Sequence, residues 1–278
     1  MSKTKYYLPL IHNSKISIYP YFRLGGFGLG NILFPFCRAL CASLENGAHL
    51  LYPHYNQIQP RNFLRELNVK SLRNYSYDFN KLKWISLPQN KSAIIFYSNK
   101  FQDESHIDSH KYIYFEGLKN YFYDFFEYRE IIRQFFYFSL HRNSKIDYKT
   151  VAFHIRLGDF LINNQSISPE KIRLSLDFFL KRSFKIKIFS DSNLSQLKDY
   201  INLSELPENV SLERSKSPLI DIIEMSQAEF ICGSPQSTFV EWARFLRIGK
   251  YDMNSYSLLS RRKYEEIDIS PLKWNQFI

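Results

Sequence analysis

The sequence predicts an α/β protein built in two halves, and three observations carry that prediction. Residues 150–247 alternate apolar runs of strand length with segments of helical period, the pattern of a parallel sheet wrapped by helices. Residues 16–52 read as strand, glycine-rich loop, helix and strand, the order of a β-α-β unit. Between them lies the polar run His141-Arg142-Asn143-Ser144-Lys145, which predicts a linker and sets the halves at residues 1–145 and 146–278. With 278 residues in all, each half is long enough to bury a core.

Taken in order, a strand is predicted over residues 16–24, followed by Gly25-Gly26-Phe27-Gly28-Leu29-Gly30-Asn31 and a helix over 32–44. Asn46-Gly47 is a helix stop, and residues 48–52 resume as a strand. Residues 53–110 carry little periodicity beyond a short aromatic strand at 93–97. A strand at 112–116 and a helix over 121–140 complete the first half. In the second half, strands at 150–155, 184–189, near 210 and at 228–232 alternate with helices at 169–182, 193–201, 218–226 and 236–247.

Composition narrows the function classes. A chain 45% hydrophobic and 17% aromatic, with 25 Phe and 20 Tyr, is globular rather than disordered. Its net charge of +10 favours a polyanionic neighbour: a nucleotide-sugar, a nucleic acid or an anionic membrane face. An AT-rich coding bias would raise the Lys and Tyr content equally well. Cys37, Cys41 and Cys232 are too few and too odd in number for a disulfide framework, which points to the reducing cytosol. No window reaches about 18 apolar residues and the N-terminus lacks a signal-peptide core, so a membrane would be met only peripherally, through basic and aromatic surface.

The segment with the most chemistry is Val151-Ala152-Phe153-His154-Ile155-Arg156-Leu157-Gly158-Asp159-Phe160. Its strand turns His154 and Arg156 to one face at period two, both capable of positive charge, and ends in a glycine turn. Arg156 has the planar fork that suits phosphate oxygens, and Asp159 is placed to orient it or a substrate hydroxyl. The plain alternative is a buried strand with a surface ion pair. In wound α/β folds, ligands sit beyond the carboxyl ends of strands. Three further strand ends are polar: the glycine loop, Phe189-Ser190-Asp191 and Cys232-Gly233-Ser234-Pro235-Gln236-Ser237-Thr238. There Thr238-Phe239-Val240-Glu241 reads as a capping box, leaving helix amides free for a phosphate or simply capping a helix.

Several chemistries are excluded or disfavoured. The glycine spacing and the lack of a following acidic residue reject a dinucleotide fingerprint. No Asp-x-Asp offers a divalent cation its usual carboxylates, no Gly-x-Ser-x-Gly offers a nucleophile, and His106, Asp108 and His110 sit in a polar loop rather than a metal site. Cys37 and Cys41, one helical turn apart, read as core.

Four segments in order resemble the alpha-1,2-fucosyltransferase family of bacterial glycosyltransferases. Gly28-Leu29-Gly30-Asn31 is similar to its Gly-Leu-Gly-Asn-Gln segment, and His154-Ile155-Arg156-Leu157-Gly158-Asp159-Phe160 to its His-x-Arg-Arg-Gly-Asp-Tyr signature. Phe189-Ser190-Asp191 is similar to its Phe-Ser-Asp, and Met225-Ser226 with Thr238-Phe239 and Trp242-Ala243 to its closing helix. Phe115-Glu116-Gly117, Tyr121-Phe122 and Ile132-Arg133 add a weaker mid-chain likeness. Leu157, Ile32, Pro35 and Val240-Glu241 depart from the pattern.

The resemblance implies a GT-B-like architecture, two Rossmann-like domains facing a central cleft, and inverting transfer of fucose from GDP-fucose to a glycan hydroxyl without a metal or other cofactor. Arg156 would then bind the β-phosphate and His154 the pyrophosphate or ribose, with Asp159 the nearest candidate base. Gly28, Gly30, Asn31, Asp191, Ser237, Thr238 and Phe239 would hold the donor, and His54, Tyr55 and Arg61 the acceptor. The implied partners are a GDP-sugar and a glycan or lipid-linked oligosaccharide, at an anionic membrane surface on the cytoplasmic side. Two rival readings stand beside it: a noncatalytic sugar-nucleotide binder, and a nucleic-acid binder using residues 181–187. The latter is disfavoured because its lysines alternate with Phe184, Ile186 and Ile188 in a strand and no binding module is visible, so no nucleic acid is expected.

Overall fold

The structure is a computed structural model that describes residues 6–10, 16–18, 22–24, 28–46, 48–50, 56–58, 94–97, 112–116, 118, 120–140, 142, 145–157, 166–213, 217–234 and 237–248. The chain divides into two compact units, residues 1–143 with 217–219 and residues 144–216 with 220–278. Each is α/β and each is built on a parallel sheet.

In the first unit, β1 (Tyr6–Leu10) pairs in parallel with both β4 (His49–Leu50) and β7 (Tyr112–Glu116), and β6 (Ile94–Tyr97) extends the far side of β7. The β-α-β unit expected from the sequence therefore joins β1 to β4 rather than the segment at 16–24. That segment forms two short strands, β2 (Ile16–Ile18) and β3 (Phe22–Leu24), antiparallel to one another and continued in a three-stranded sheet by β5 (Asn56–Ile58). Pro20, between them, carries no amide hydrogen and cannot serve a ladder through which nine residues would run. β1 itself contains Pro9, which lies opposite Phe115 of β7, and among the described residues β4 pairs with β1 at Tyr6 and Tyr7.

Helix α1 (Leu29–Glu45) begins three residues before the predicted start and runs through Pro35. It is buried almost throughout, from Leu29 to Ser43 apart from Asn31. Ala39 and Ala42 are small enough to bring the helix onto Phe115 of β7. Elsewhere Phe34 meets Phe122 edge-on at 4.9 Å, and Phe36 packs on Phe136 at 5.9 Å. Arg38, in the middle of this apolar helix, forms a buried ion pair with Asp124 at 3.1 Å and donates to the Leu118 carbonyl at 3.2 Å.

The predicted helix at 121–140 is instead two 3-10 turns, Tyr121–Asp124 and Phe126–Tyr128, followed by α2 (Arg129–Ser139). Tyr121 takes a left-handed φ of 55° and Phe125 a φ of −146° with ψ 25°, both outside the helical region, so no continuous helix can pass. Phe122 and Phe125, three apart, share the helical spacing of a core stripe in a 3-10 turn as well, which is why the period misleads.

The second unit follows the predicted alternation closely. Its sheet runs β10 (Val210–Glu213), β9 (Lys185–Ser190), β8 (Asp147–Ile155), β11 (Ala228–Gly233), all parallel. Helices α3 (Pro169–Leu180), α4 (Leu194–Ile201), α5 (Pro218–Ser226) and α6 (Thr238–Leu246) alternate with the strands. Val151, Phe153 and Ile155 of β8 share one core with Ile172, Leu176 and Phe179 of α3 and Leu197 and Ile201 of α4. Strand alternation turns Ala152 and His154 to the other face, where His154 meets Phe239 of α6. The sheet is thus covered on both sides. Within β9, Ile186 and Ile188 are buried and Lys185 is exposed, the solvated-face arrangement expected of the lysine-rich run.

All three cysteines are buried, with no disulfide, and burial pushes the Cys37 and Cys41 thiols well up and that of Cys232 to about 12. Among the described residues no helix is long and apolar enough to cross a membrane.

The Arg38 ion pair yields a test of the first unit. Arg38→Leu leaves Asp124 as a buried carboxylate without its cation, so unfolding in urea is expected to show a loss of about 3–5 kcal/mol. Arg38→Leu with Asp124→Leu together is expected to recover part of it, and a midpoint unchanged in the single variant contradicts the pairing.

Candidate functional site

The strand order of the second unit locates its site. The chain lays β8, β9 and β10 side by side in one direction and then returns to place β11 on the far side of β8, so the winding reverses between β8 and β11. At such a reversal, neighbouring crossovers leave on opposite faces and open a crevice beyond the strand ends. Register brings the motif segments together there. His154 lies opposite Phe189 on one side and Gly233 on the other, and Ile155 lies opposite Ser190. Three segments separated by tens of residues in sequence, at 154–157, 189–191 and 233–239, therefore end at one edge of one sheet.

Arg156 follows the last residue of β8 and keeps partial exposure. Its Nε lies 3.9 Å from Asp191 Oδ2, while Asp191 Oδ1 accepts the Leu157 amide at 2.9 Å. Asp191 thus fastens the turn after β8 to the end of β9. Oδ2 is buried without a hydrogen-bond partner, so the carboxylate is anchored through one oxygen and faces the guanidinium with the other. Ser166 Oγ, in the segment leading into α3, donates to the Arg156 carbonyl at 3.1 Å and holds the same turn. Asp159, expected to orient Arg156, lies outside the described residues with Gly158 and Phe160; in the structure Asp191 stands beside Arg156. Leu157, where the resembled motif carries a second arginine, is a core side chain packed with the α3 and α4 cluster.

His154 is not the cation that the strand pattern suggested. It is 8% exposed, its Nδ1 has no partner, and burial, aided by the neighbouring Arg156 charge, pushes its pKa down to about 3. A neutral imidazole therefore stands beside a permanent guanidinium. Its ring stacks on Phe239 with centroids 4.9 Å apart and planes 24° from parallel, so one face of Phe239 is already covered by protein. Gly233 allows this closeness: a β-carbon there would lie 2.6 Å from Val240 Cγ2, 3.2 Å from the His154 carbonyl oxygen and 3.3 Å from His154 Cβ.

The cap of α6 differs from the expected box. Ser237, one residue earlier than Thr238, is the N-cap, and its Oγ accepts the Val240 amide at 3.5 Å. Glu241 does not reach back to the cap. It is 1% exposed, accepts from Arg244 at 2.6 Å, and burial raises its carboxyl pKa. Arg244 also donates to the Ile231 carbonyl at 3.1 Å, tying α6 to β11. This pair is a link the sequence reading missed, although the i, i+3 spacing of Glu241 and Arg244 was its visible signal. Ser237 and Ser234 are buried, whereas Thr238 and Phe239 keep partial exposure at the helix start.

Of the remaining sequence candidates, Gly28 is the N-cap of α1 and supplies no side-chain cap. Gly30 and Asn31 fall in its first turn, and Asn31 Oδ1 is buried without a partner. His54, Tyr55 and Arg61 lie outside the described residues, as do His106, Asp108 and His110. Among the described residues no three His, Cys, Asp or Glu side chains form a metal-like group.

No protein-family model and no curated protein sequence matches the chain. Solved structures overlap with it partially. The fucosyltransferase NodZ from Bradyrhizobium superposes with a TM-score of 0.40 at 14% identity over 88% of this chain and 93% of that one. NodZ alpha-1,6-fucosyltransferase soaked with GDP-fucose gives 0.39 at 12% identity with the same coverage, and POFUT1 in complex with GDP gives 0.44 at 9% identity over 90% and 96%. The chemistry of the site rests on this chain's own residues.

Two outcomes follow from this geometry. Gly233→Ala must push α6 away from β8, and by the usual cost of overpacking it is expected to lower stability by about 1–3 kcal/mol in denaturant titration; an unchanged midpoint contradicts the close contact. Between pH 6.5 and 3 the unfolded chain protonates His154 while the folded chain does not. Its contribution is therefore complete above pH 6.5 and lost as pH falls, by up to about 1.4 kcal/mol per unit. His154→Asn is expected to flatten the decline of the urea midpoint between pH 6.5 and 4, and equal slopes in the two proteins contradict a neutral buried imidazole.

Proposed function

We propose that the strand-end edge of the second unit holds the diphosphate of a GDP-sugar, and that the protein is an inverting glycosyltransferase moving fucose from GDP-fucose to a hydroxyl of a glycan acceptor. The observation that carries the reading is the convergence of Arg156, Asp191 and the start of α6 at the winding reversal beside His154. The likeness of those same segments to the alpha-1,2-fucosyltransferase motifs supports it and points to an alpha-1,2 linkage.

In this reading the acceptor oxygen attacks the anomeric carbon from the side opposite the diphosphate. The bond from that carbon to the β-phosphate oxygen breaks, its electron pair leaves with GDP, and the hydroxyl proton passes to a base, for which Asp159 is the candidate. Arg156 is the group that meets charge building on the leaving phosphate, and a donor preorganised in this way is stronger toward the transition state than toward the ground state. Asp191 holds Arg156 and the Leu157 amide in register, so the guanidinium does not have to be ordered when the donor arrives. Ser237, Thr238 and the first amides of α6 supply the positive end of a helix for the second phosphate. His154, being neutral, contributes a hydrogen bond rather than a charge.

His54, Tyr55 and Arg61 are assigned to the acceptor, and Gly28, Gly30 and Asn31 to further donor contacts, by the motif resemblance alone. The net charge of +10 suits an acceptor carried on an anionic membrane face in the cytoplasm.

Calorimetry with GDP, UDP, GDP-fucose and GDP-mannose in the presence of EDTA tests the reading. Guanine nucleotides are expected to bind selectively, and Arg156→Ala to weaken GDP by about 10- to 100-fold, the worth of a charge-assisted hydrogen bond. Transfer is expected to fall on the order of 100- to 1000-fold. Absence of nucleotide binding in the unaltered protein overturns the reading, and binding without transfer to any glycan reduces it to a donor-binding protein.

A further inference from the structure

His154 has a feature that diphosphate binding alone does not require: a buried nitrogen, Nδ1, with no hydrogen-bond partner among the described residues. The imidazole has three protonation forms, and the surroundings separate them. An imidazolium would place a second donor and a full charge beside Arg156 in a desolvated position. A neutral ring protonated at Nδ1 would bury an unsatisfied N–H, which folded proteins avoid more strictly than an unsatisfied acceptor. A ring protonated at Nε2 leaves only a lone pair unmet at Nδ1, and that is the least costly form.

The orientation that selects this form is set by packing. Phe239 stacks on the ring at 4.9 Å and 24°, and Gly233 brings the backbone of β11 against His154 Cβ and its carbonyl oxygen. Phe239 lies in the first turn of α6, fixed by the buried Ser237 cap and by the Glu241 and Arg244 tie to β11. The stacked face is the reason Phe239 cannot offer both its sides to a nucleobase.

We propose that Phe239 is a positioning residue that fixes His154 as an Nε2–H imidazole, so that the site presents a neutral hydrogen-bond donor beside the guanidinium of Arg156. Its ligand-binding consequence rests on the GDP-sugar reading, but the tautomer does not. An edge built this way recognises an oxygen acceptor by direction rather than by charge, and a substitution that loosens the ring weakens the ligand while leaving Arg156 intact.

The test is long-range 1H–15N correlation NMR of 15N-histidine-labelled protein, with His154→Gln identifying the resonance, run on the unaltered chain, Phe239→Leu and Phe239→Tyr, together with the GDP dissociation constant of each. The expected result is an Nε2–H tautomer in the unaltered chain and in Phe239→Tyr. In Phe239→Leu, mixed tautomers and GDP affinity about 2- to 10-fold weaker are expected, the range of an aromatic pair. An Nδ1–H ring or an imidazolium at neutral pH in the unaltered chain overturns the proposal without any variant having to fold. So does a Phe239→Leu protein, folded by circular dichroism, with both the tautomer and the GDP affinity unchanged. If the unaltered chain binds no GDP but Phe239→Leu scrambles the tautomer, the positioning role stands and the donor reading falls.

Discussion

A missing β-carbon at Gly233 sets the distances on which the second unit's site depends. Any side chain there would meet Val240 Cγ2 at 2.6 Å, so only glycine lets the first turn of α6 lie against the end of β8. From that contact the rest follows by geometry. Phe239 reaches the His154 ring, the ring is shielded from water and loses its charge, and the guanidinium of Arg156 faces Asp191 between the ends of β8 and β9. The Glu241 and Arg244 pair secures the other side of the same helix to the Ile231 carbonyl of β11.

The electrostatics of this edge are leaner than the sequence suggests. A motif with His and Arg at period two reads as a doubled positive charge, and Leu157 already stands where the resembled family carries a second arginine. In the structure the histidine is neutral and Leu157 is in the core, and among the described residues Arg156, the amides at the start of α6 and the hydroxyl groups of Ser237 and Thr238 stand at this edge. A diphosphate held this way depends on direction and preorganisation more than on total charge. Asp191 is central to that preorganisation, since one of its oxygens fixes the Leu157 amide while the other faces the guanidinium.

Much of the second unit is legible in the sequence because its signals are local. Strands such as β8 and β9 are apolar runs bounded by polar turns, and Ser168-Pro169 and Asn193 are N-caps written in adjacent residues. The α6 cap is misplaced by one residue because Ser237 and Thr238 carry the same chemistry, and only the backbone distinguishes them. In the first unit the deciding facts are long-range. β1 is missed because Pro9 disguises it and its partners lie about 40 and 100 residues away along the chain. The buried Arg38 and Asp124 pair joins residues 86 apart, and neither reads as a partner of the other until the aromatic turns fold over α1. The burial that silences His154 is likewise invisible in sequence, because Phe189, Gly233 and Phe239, which surround it, come from other motifs.

Amide hydrogen exchange with and without GDP in the presence of EDTA tests the central claim most directly, since it reads where the nucleotide is held as well as whether it binds. The account predicts protection of the peptides that contain Arg156 and Leu157, Asp191, and Ser237 to Val240. Binding that leaves all three segments unprotected, or that protects only regions away from this strand-end edge, contradicts it.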